Sequence, residues 1–584
     1  MKQFFKFTFA SILGVFIAGL VIFIVFLLLI VSSLSESTYT SESKTILHLK
    51  LEGDLVEYSQ GDPLKLILGN YINQDIKLGL DDILTAIKNA KESSNIEGIY
   101  IECGIFSAST ASVQEIRDAL IDFKKSNKFI IAYGGDTYLQ QAYYLSTVSD
   151  KIILNPQGMF FFKGISAQAM FLKNTLEKLG VEMQIFKVGS YKSAPEIYTN
   201  DKMSDSSREQ ITEYVQSIWG QMLEGISKER NIPVDSLQAY ANQMMAFRPA
   251  VQSLKYGLID TLMYENDVID LLKEKVGMDK KEKIKLASVT EVAQMKSPTF
   301  KNEKEKIAIL YAVNGIDDGS SDGIKSAKII KDLRKIREDE NIKAVVLRIN
   351  SPGGSAYGSE QIWQEVEKMK TVKPIVVSMG DYAASGGYYI ACPASYIIAQ
   401  PTTLTGSIGI FGIMPNVAGL LSKVELSFDQ VNTNQFSDMP NSTRPMTEEE
   451  KTIMQLYVEN GYDLLLTRCS EGRKMSKDSV NVIAQGRVWT GEKALEIGLV
   501  DELGGLSKAI EKAAELANIK AYNIINYPEK KDIFSLLVGN AENSMKNYLI
   551  ESVLGEDYKS FNQVRKIRSI TPVQTRLPFE LVIN

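Results

Sequence analysis

Serine and lysine, rather than histidine or cysteine, are the residues here whose surroundings suit covalent chemistry. Ser407 lies between glycines in the run TLTGSIGIFG, Thr403–Gly412, directly after a predicted strand. A serine hydroxyl is a weak nucleophile until a base removes its proton, and the usual base is a histidine oriented by a carboxylate. The chain has one histidine, His48, which lies far in sequence from every glycine-rich segment. The sequence therefore favours a base other than histidine.

Lys192 is a candidate for that base. It lies in the run VGSYKSAPE, Val188–Glu196, among small and apolar residues, with no acidic residue closer in sequence than Glu196. Burial lowers the pKa of a lysine because desolvation penalises the ammonium form, so a buried lysine can accept a proton near pH 7. The sequence also allows an ordinary solvated loop lysine, since the chain has 65 lysines and arginines.

Two glycine-rich turns come earlier in the second half of the chain. INSPGGSAYGS, Ile349–Ser359, follows a predicted strand, and the N–H groups of Gly353 and Gly354 could bind an oxyanion. An ordinary strand-to-helix turn is an equal interpretation. In MGDYAASGGYYIACPA, Met379–Ala394, Ser385 is an alternative nucleophile on a sharp turn, although small residues there also suit close packing against a sheet.

The elements that must position these residues follow an α/β pattern. Short β-rich runs alternate with amphipathic helices, which predicts βαβ units and parallel strands. The predicted strands are Ile46–Leu51, Gly98–Ile101, Phe129–Tyr133, Lys151–Asn155, Lys306–Val313, Ala344–Ile349, Pro374–Met379 and Tyr396–Gln400; the predicted helices are Asp81–Ser93, Ser112–Ser126, Ile324–Asp339 and Ser359–Thr371.

The second half of the chain repeats the first. NIEGIYIE at Asn95–Glu102 matches NIKAVVLR at Asn341–Arg348, and YGLID at Tyr256–Asp260 matches IGLVD at Ile497–Asp501. Self-similarity of this kind indicates one structural unit used twice. A duplicated enzyme fold either keeps a site in each copy or shares one site between the copies.

The offset between the copies favours a shared site. Ser407 falls opposite Gly164 in the first copy, and Lys192 falls opposite Gln435 in the second. Each copy therefore holds one member of the candidate pair and lacks the other. We expect Lys192 and Ser407 to meet in one site between the two halves.

The N-terminus predicts a membrane anchor. Phe7–Val31 is an uncharged and almost wholly apolar run, about 37 Å long as a helix and so able to cross a hydrocarbon core of roughly 30 Å. Lys2 and Lys6 precede it, which places the rest of the chain outside the inner membrane. A cleaved secretory signal is the alternative, but the run is longer than such signals usually are.

Composition excludes several other functions. The net charge of −6 shows no basic excess, so we expect no nucleic-acid partner. Three cysteines without a CxxC pair and a single histidine predict neither a disulfide scaffold nor a metal site. No G-x-x-x-x-G-K-[ST] phosphate loop occurs, and we expect no cofactor.

Four motifs in order resemble the signal peptide peptidase A family, in its long, duplicated form also called protease IV. They are GSYKSAPE, NSPGGSA, DYAASGGYYIA and LTGSIGIFG, and the resemblance extends from the anchor to about Ala517. It implies an α/β fold of two tandem ClpP/crotonase-like domains after one N-terminal transmembrane helix. It also implies a periplasmic serine endopeptidase, assembled as a homotetramer, that degrades signal peptides left after protein export.

The resemblance also assigns roles to residues. It implies Ser407 as nucleophile, Lys192 as general base, and Gly353 and Gly354 as the oxyanion-binding region. A hydroxyl orients the lysine in this family, and the stretch VNTNQFSD offers Thr433 and Ser437 for that role.

Two alternatives stay open. Ser385 is a rival nucleophile, although the segment that would hold a histidine partner, Ile397–Pro401, has none. The second alternative is a non-catalytic membrane scaffold of the same fold. The predicted organisation is a cytoplasmic tip, anchor and linker over 1–44, a first repeat over 45–280, a linker over 281–305, a second repeat over 306–525 and a C-terminal extension over 526–584.

Overall fold

The computed structural model describes residues 2–33, 39–59, 77–295, 303–320, 323–529 and 573–576. Helix α1 occupies Lys2–Ser33, where the anchor is predicted, and the side chains of residues 1–5, 20 and 23–38 lie outside the description. Within the described residues, no helix is both long enough and apolar enough to cross a membrane.

The chain alternates strands and helices, as the sequence predicts. The described strands are β1 Thr45–Val56, β2 Lys77–Gly79, β3 Ile96–Ser107, β4 Phe129–Gly134, β5 Thr137–Tyr138, β6 Lys151–Leu154, β7 Met159–Phe160, β8 Glu182–Lys187, β9 Thr261–Leu262, β10 Lys285–Ser288, β11 Lys306–Val313, β12 Ile342–Ser351, β13 Gly353–Ser355, β14 Ile375–Ala384, β15 Tyr396–Ala399, β16 Leu404–Gly406, β17 Phe411–Asn416, β18 Val488–Thr490, β19 Glu502–Leu503, β20 Asn523–Tyr527 and β21 Val573–Arg576.

Helices connect most of these strands. After α1 they are α2 Leu80–Glu92, α3 Thr110–Lys124, α4 Gln140–Ser146, α5 Lys173–Leu179, α6 Glu196–Thr199, α7 Asp205–Arg230, α8 Val234–Ala241, α9 Ala250–Lys255, α10 Glu265–Lys275, α11 Val289–Ala293, α12 Ser326–Glu338, α13 Ala356–Lys370, α14 Gly386–Ala391, α15 Ala418–Lys423, α16 Glu448–Arg473, α17 Lys477–Ile483, α18 Gly491–Glu496 and α19 Leu506–Leu516.

Two sheets share one strand order, which confirms the internal repeat. The first contains β10-β1-β3-β4-β6-β9 and the second contains β20-β11-β12-β14-β15-β19. All of these neighbours pair in parallel. Even side-chain contacts recur: Arg230 binds Asp260 at 2.7 Å, and Arg473 binds Asp501 at 2.5 Å at the equivalent place in the second copy.

The central strands are apolar because both of their faces are covered. Val345 and Leu347 of β12 pack into the larger core on one face of the second sheet, whereas Ala344 and Val346 pack into a smaller core on the other face. This alternation is the period of two that a strand imposes.

The predicted linker over 281–305 differs from the structure. Strand β10 lies inside it and pairs with β1 at the edge of the first sheet, and β20 plays the same part beside β11 in the second sheet. Neighbouring charged residues, Lys281–Lys283, conceal the strand in the sequence. An edge strand needs only one apolar face, so such charges are compatible with it.

A third sheet joins the two repeats. Its order is β13-β21-β17-β8. Strand β8 belongs to the first repeat, and it pairs antiparallel with β17 of the second repeat from Lys187–Phe411 to Glu182–Asn416. The chain that leads from β8 to Lys192 is therefore held against the second repeat.

Candidate active site

Lys192 lies in the loop between β8 and α6 and has no exposed surface. Helix α7 fixes this loop through Gln210, whose amide donates to the Tyr191 carbonyl at 3.1 Å and to the Ser193 hydroxyl at 3.0 Å. The same side chain accepts a hydrogen bond from the backbone N–H of Val488 in β18. One buried glutamine thus ties the lysine loop to the second repeat.

Ser407 lies between β16 and β17 and contacts the lysine amine. Lys192 Nζ donates to Ser407 Oγ and to the Ser407 carbonyl oxygen, each at 3.1 Å. The serine is fully buried, and its N–H donates to the Arg487 carbonyl at 2.6 Å. The structure therefore brings together two residues that are 215 positions apart.

Ser385 is the third member of this group. It lies between the last residue of β14 and the first residue of α14. Its Oγ lies 2.8 Å from Lys192 Nζ. Its backbone has φ 56° and ψ −111°, a conformation that costs a residue with a side chain about 1–3 kcal/mol. The Ser385 N–H donates to the Gly406 carbonyl, so the two serine turns hold each other.

The amine of Lys192 is deprived of both water and counter-ions. Burial lowers its pKa well below the ordinary lysine value, and desolvation is the cause. Glu196, the nearest acid in sequence, points instead to the hydroxyl of Ser204 at 2.7 Å. Among the described residues no carboxylate forms an ion pair with Lys192, and the Phe411 ring lies 5.9 Å from the amine. Such an environment favours the neutral form.

Glycines make room for the lysine side chain. A Cβ on Gly486 would lie 2.6 Å from the Cβ of Lys192, and one on Gly409 would lie 3.2 Å from its Cδ. Gly486 also has φ 78°, which other residues rarely adopt. Both glycines come from the second repeat, so that repeat shapes the pocket of a lysine supplied by the first.

Gly353 and Gly354 form β13 next to the serine turns. Gly353 has φ 102°, and a Cβ on Gly354 would lie 2.2 Å from the Ile316 carbonyl oxygen. The Gly353 N–H donates to Ser351 Oγ at 3.2 Å. A Cβ on Gly387, in the first turn of α14, would lie 2.7 Å from the Ser351 carbonyl oxygen. The 351–354 loop and the Ser385 turn are therefore in direct contact.

A strand from the C-terminal extension lies beside this loop. In β21, Thr575 pairs antiparallel with Gly354, and Gln574 pairs with Phe411 of β17. The groove between β13 and β17 therefore accommodates a chain in extended conformation.

Several residues singled out in the sequence lie elsewhere. His48 binds Glu102 at 2.8 Å in the first repeat. Thr433 and Ser437, the two candidates for orienting the lysine, are exposed, and Ser437 donates to the Asn434 carbonyl. Those two candidates are wrong as contacts of Lys192, because their loop lies at the surface, and a second buried serine occupies that place.

The contact between Ser385 and Lys192 is the feature that sequence reasoning missed. The absence of a histidine partner argued against Ser385, but a lysine can serve the same serine. Alignment of the repeats offers a signal: Gly135-Asp136 matches Gly380-Asp381, so Ser385 falls opposite Gln140. The first copy thus lacks a serine at this position as well as at Gly164. Within the described residues, no group of histidine, cysteine and acidic side chains could hold a metal ion.

Comparison with known proteins finds relatives over most of the chain. The model of peptidase family S49 matches residues 122–279 and 367–520, one segment in each repeat. Protease 4 of Salmonella typhi is 36% identical over 484 residues, covering 81% of this chain and 78% of that protein. Protease 4 of Haemophilus influenzae is 34% identical over 520 residues, covering 85% and 84%.

A plant relative is similar over a comparable length. The chloroplastic serine protease SPPA of Arabidopsis thaliana is 31% identical over 476 residues, covering 79% of this chain and 70% of that protein. These matches confirm the resemblance that the four motifs indicate. The assignment of each repeat to the ClpP/crotonase-like fold stays a prediction. The chain belongs to peptidase family S49, and it is a peptidase.

Proposed function

We propose that this chain is a membrane-anchored serine endopeptidase whose general base is Lys192. One observation carries the proposal: a lysine amine without exposed surface lies within hydrogen-bond distance of the Ser385 and Ser407 hydroxyls. Desolvation lowers the pKa of an amine and so favours the neutral form, which accepts a proton. A serine beside such a base is an activated nucleophile.

Of the two serines, we assign the nucleophile to Ser385 and the orienting role to Ser407, the reverse of the expectation from the resemblance. Both serines have positive φ values, but only Ser385 lies on a strand-to-helix turn, the geometry that presents a nucleophilic hydroxyl at the edge of a sheet. Its turn also contacts the 351–354 loop. Ser407 offers the amine two acceptors, Oγ and the carbonyl oxygen, and two acceptors fix the direction of the amine.

The reaction follows from these positions. Lys192 Nζ takes the proton of Ser385 as its Oγ bonds to the carbonyl carbon of a peptide. Backbone N–H groups of the Gly353–Gly354 region stabilise the negative oxygen of the tetrahedral intermediate. The C–N bond then breaks as Lys192 gives the proton to the leaving amine. Water, deprotonated by the same lysine, hydrolyses the acyl-enzyme and restores the Ser385 hydroxyl.

The substrate we propose is an apolar peptide in extended conformation, such as a signal peptide left after export. The pairing of β21 with β13 and β17 supports extended binding, because it shows that the groove takes a strand. The apolar run Phe7–Val31 supports an anchor that keeps the site, on the periplasmic side, close to peptides in the inner membrane. Assembly as a homotetramer belongs to the same proposal.

Site variants of the full chain test these roles. In detergent, with an apolar fluorogenic peptide, we expect Ser385→Ala and Lys192→Met to lower kcat by about 10³-fold or more. For Ser407→Ala we expect kcat to fall about 10- to 100-fold, since Lys192 keeps its hydrogen bond to Ser385. A fluorophosphonate probe should label Ser385, located by peptide mass spectrometry.

Each outcome separates the candidates. Label on Ser407, with activity retained in Ser385→Ala, would return the nucleophile to Ser407. An inactive and unlabelled parent would favour the non-catalytic scaffold.

A pH–rate profile tests the base. Because the pKa of Lys192 is lowered by burial, the ammonium form is inactive and kcat/KM should rise as pH increases through that lowered pKa. A profile that stays flat from pH 5 to 9 would contradict a lysine base.

A further inference from the structure

Arg348 lies near the end of β12 and is fully buried, although nothing in the proposed reaction uses it. Its Nε donates to Glu57 Oε2 at 2.8 Å and its Nη2 to Glu57 Oε1 at 3.1 Å. Its Nη1 lies 2.6 Å from Glu115 Oε1 and donates to the Ser378 hydroxyl at 2.9 Å. One guanidinium thus joins two carboxylates of the first repeat to two strands of the second.

The two carboxylates are placed for this contact. Glu57 directly follows β1, and Glu115 lies on α3; both are buried. A Cβ on Gly380 of β14 would lie 2.4 Å from Glu57 Oε1, so the glycine leaves room for the carboxylate in this position. Glu115 also accepts the N–H of Leu506, at the start of α19.

The network continues towards the catalytic loops. Asn350 donates to Glu57 Oε1 at 2.8 Å and to Asp381 Oδ2 at 3.0 Å, and it accepts the N–H of Tyr382 at 3.1 Å. Asp381 accepts the N–H and the hydroxyl of Ser112, on α3 of the first repeat. The contacts therefore extend along both strands to within a few residues of Ser351 and Ser385.

Both strands lead into the site. β12 ends at Ser351, from which the chain turns into Gly353 and Gly354, and β14 ends at Ala384, immediately before Ser385. The neighbouring β-strand pairing shifts register between Ile349 and Ser351, so at this point the backbone ladder alone does not fix the loop.

We propose that Arg348 is a positioning residue for this active site. It fixes the 351–354 loop and the Ser385 turn relative to the first repeat, which supplies Lys192. The inference rests on the proposed function. A buried ion pair is a weak source of stability, because desolvation offsets most of its attraction. Holding the ends of β12 and β14 against the first repeat needs several hydrogen bonds from one group. The planar, forked guanidinium of arginine provides them, and the ammonium of lysine does not.

Arg473 provides a matched control. It is also a nearly buried arginine of the second repeat, it donates to both carboxylate oxygens of Asp501 at 2.5 and 3.1 Å, and it binds the Gly498 carbonyl. All of its partners lie in its own repeat. Loss of its contacts should therefore lower stability without moving the site.

Kinetics of Arg348→Lys and Arg473→Lys, with the corresponding Met variants, test the proposal in the full chain. We expect Arg348→Lys to lower kcat at least 10-fold with KM within 2-fold of the parent, because a displaced oxyanion donor weakens the transition state alone. Arg473→Lys should change kcat less than 2-fold at a similar loss of Tm. Equal effects of the two lysine variants on kcat, or none from Arg348→Lys, would overturn the proposal.

Hydrogen exchange followed by mass spectrometry gives a readout that needs no peptidase activity. In Arg348→Lys we expect faster exchange in peptides covering 349–358 and 379–387, and unchanged exchange in peptides covering 183–192 and 404–412. Unchanged exchange in the first two segments, or a rise throughout the second repeat, would contradict positioning. Because this measurement is independent of turnover, an inactive parent would refute the proposed function without deciding the role of Arg348.

Discussion

A lysine acts as a base only when the protein removes both water and counter-ions from its amine. The Lys192 pocket does both, since the side chain is fully buried and the nearby Glu196 is bound to Ser204. The partners that remain are the hydroxyls of Ser385 and Ser407 and one carbonyl oxygen. Hydroxyls donate or accept, so they accommodate either protonation state of the amine. This burial has an energetic cost, because desolvation penalises the ammonium form of the lysine.

Lys192→Met should reveal that cost as a pH-dependent gain in stability. The pKa of Lys192 is lower in the folded chain than in the unfolded chain, so the stability of the parent rises with pH up to the ordinary lysine value of about 10.4. The Tm of Lys192→Met should therefore exceed that of the parent at pH 7, with the difference shrinking towards pH 10. Scanning calorimetry measures this, and Lys187→Met, at an exposed position, is the control. A difference independent of pH would contradict a buried neutral amine.

Short elements from both repeats hold the site together. Strand β8 joins β17 across the boundary between the repeats, and α7 holds the lysine loop through Gln210. Ser204 caps the start of helix α7, and Asn231, which follows its last residue, adopts the left-handed conformation. The equivalent helix α16 of the second repeat also has 26 residues. The same helix thus holds the Lys192 loop in one copy and follows an exposed loop in the other.

Gly486→Ala should separate the effect of crowding the Lys192 side chain from the effect of backbone strain. Gly486 and Gly498 have nearly equal positive φ values, 78° and 80°, so alanine strains both backbones similarly. Only at position 486 does the new Cβ meet the Cβ of Lys192, at 2.6 Å; at 498 the nearest atom is 3.8 Å away. We expect kcat/KM to fall about 100-fold in Gly486→Ala and less than 3-fold in Gly498→Ala. Equal losses of kcat/KM in the two variants would show that backbone strain, and not contact with Lys192, lowers activity.

The whole molecule places the proposed active site between two copies of a fold. The first copy supplies Lys192, and the second supplies both serines and the glycine loop. Because neither copy alone contains the full set, we expect the position of one repeat against the other to decide activity. Part of that boundary is polar, where the buried side chains of Glu57 and Glu115 contact Arg348, and part is apolar, where Ile211 and Tyr214 pack against Leu404 and Val488.

The boundary should also respond to pH through Glu57. Burial raises its pKa to about 7 against the lowering effect of Arg348. The folded-state pKa exceeds the unfolded one, so this contribution to stability is present below about pH 4 and is lost as pH rises through 7. We expect the free energy of unfolding of Glu57→Gln, relative to the parent, to rise between pH 5 and 9. Urea unfolding measures this difference, with exposed Glu97→Gln as control; a constant difference would contradict a raised pKa.

The C-terminal strand should compete with substrate. Strand β21 pairs with both edges of the groove that we propose for the peptide. Deleting residues 573–584 should therefore lower KM with little change in kcat. A free peptide of the sequence 571–579, TPVQTRLPF, should inhibit the shortened enzyme competitively, whereas a scrambled peptide should not. An unchanged KM together with an inert peptide would contradict this competition.

The sequence alone predicts the α/β elements, the internal repeat and the candidate site residues of this protein. Alternating apolar runs predict the α/β elements, and the matched segments Asn95–Glu102 and Asn341–Arg348 predict the repeat that the strand orders confirm. Local chemistry and the scarcity of histidine single out Lys192 and the serine turns. These features are readable because each depends on neighbours within a few residues or on a fixed offset between copies.

Tertiary structure decided what depends on contacts between distant segments. It placed Ser385 as close to Lys192 as Ser407, put β10 in the first sheet, and set β21 beside Gly354. Sequence order carries no distance between residues that are 193 positions apart. Burial, which makes a lysine neutral, comes from the packing of two repeats and not from the residues next to it in the chain. The sequence therefore identified the candidate residues, and only the fold assigned them neighbours.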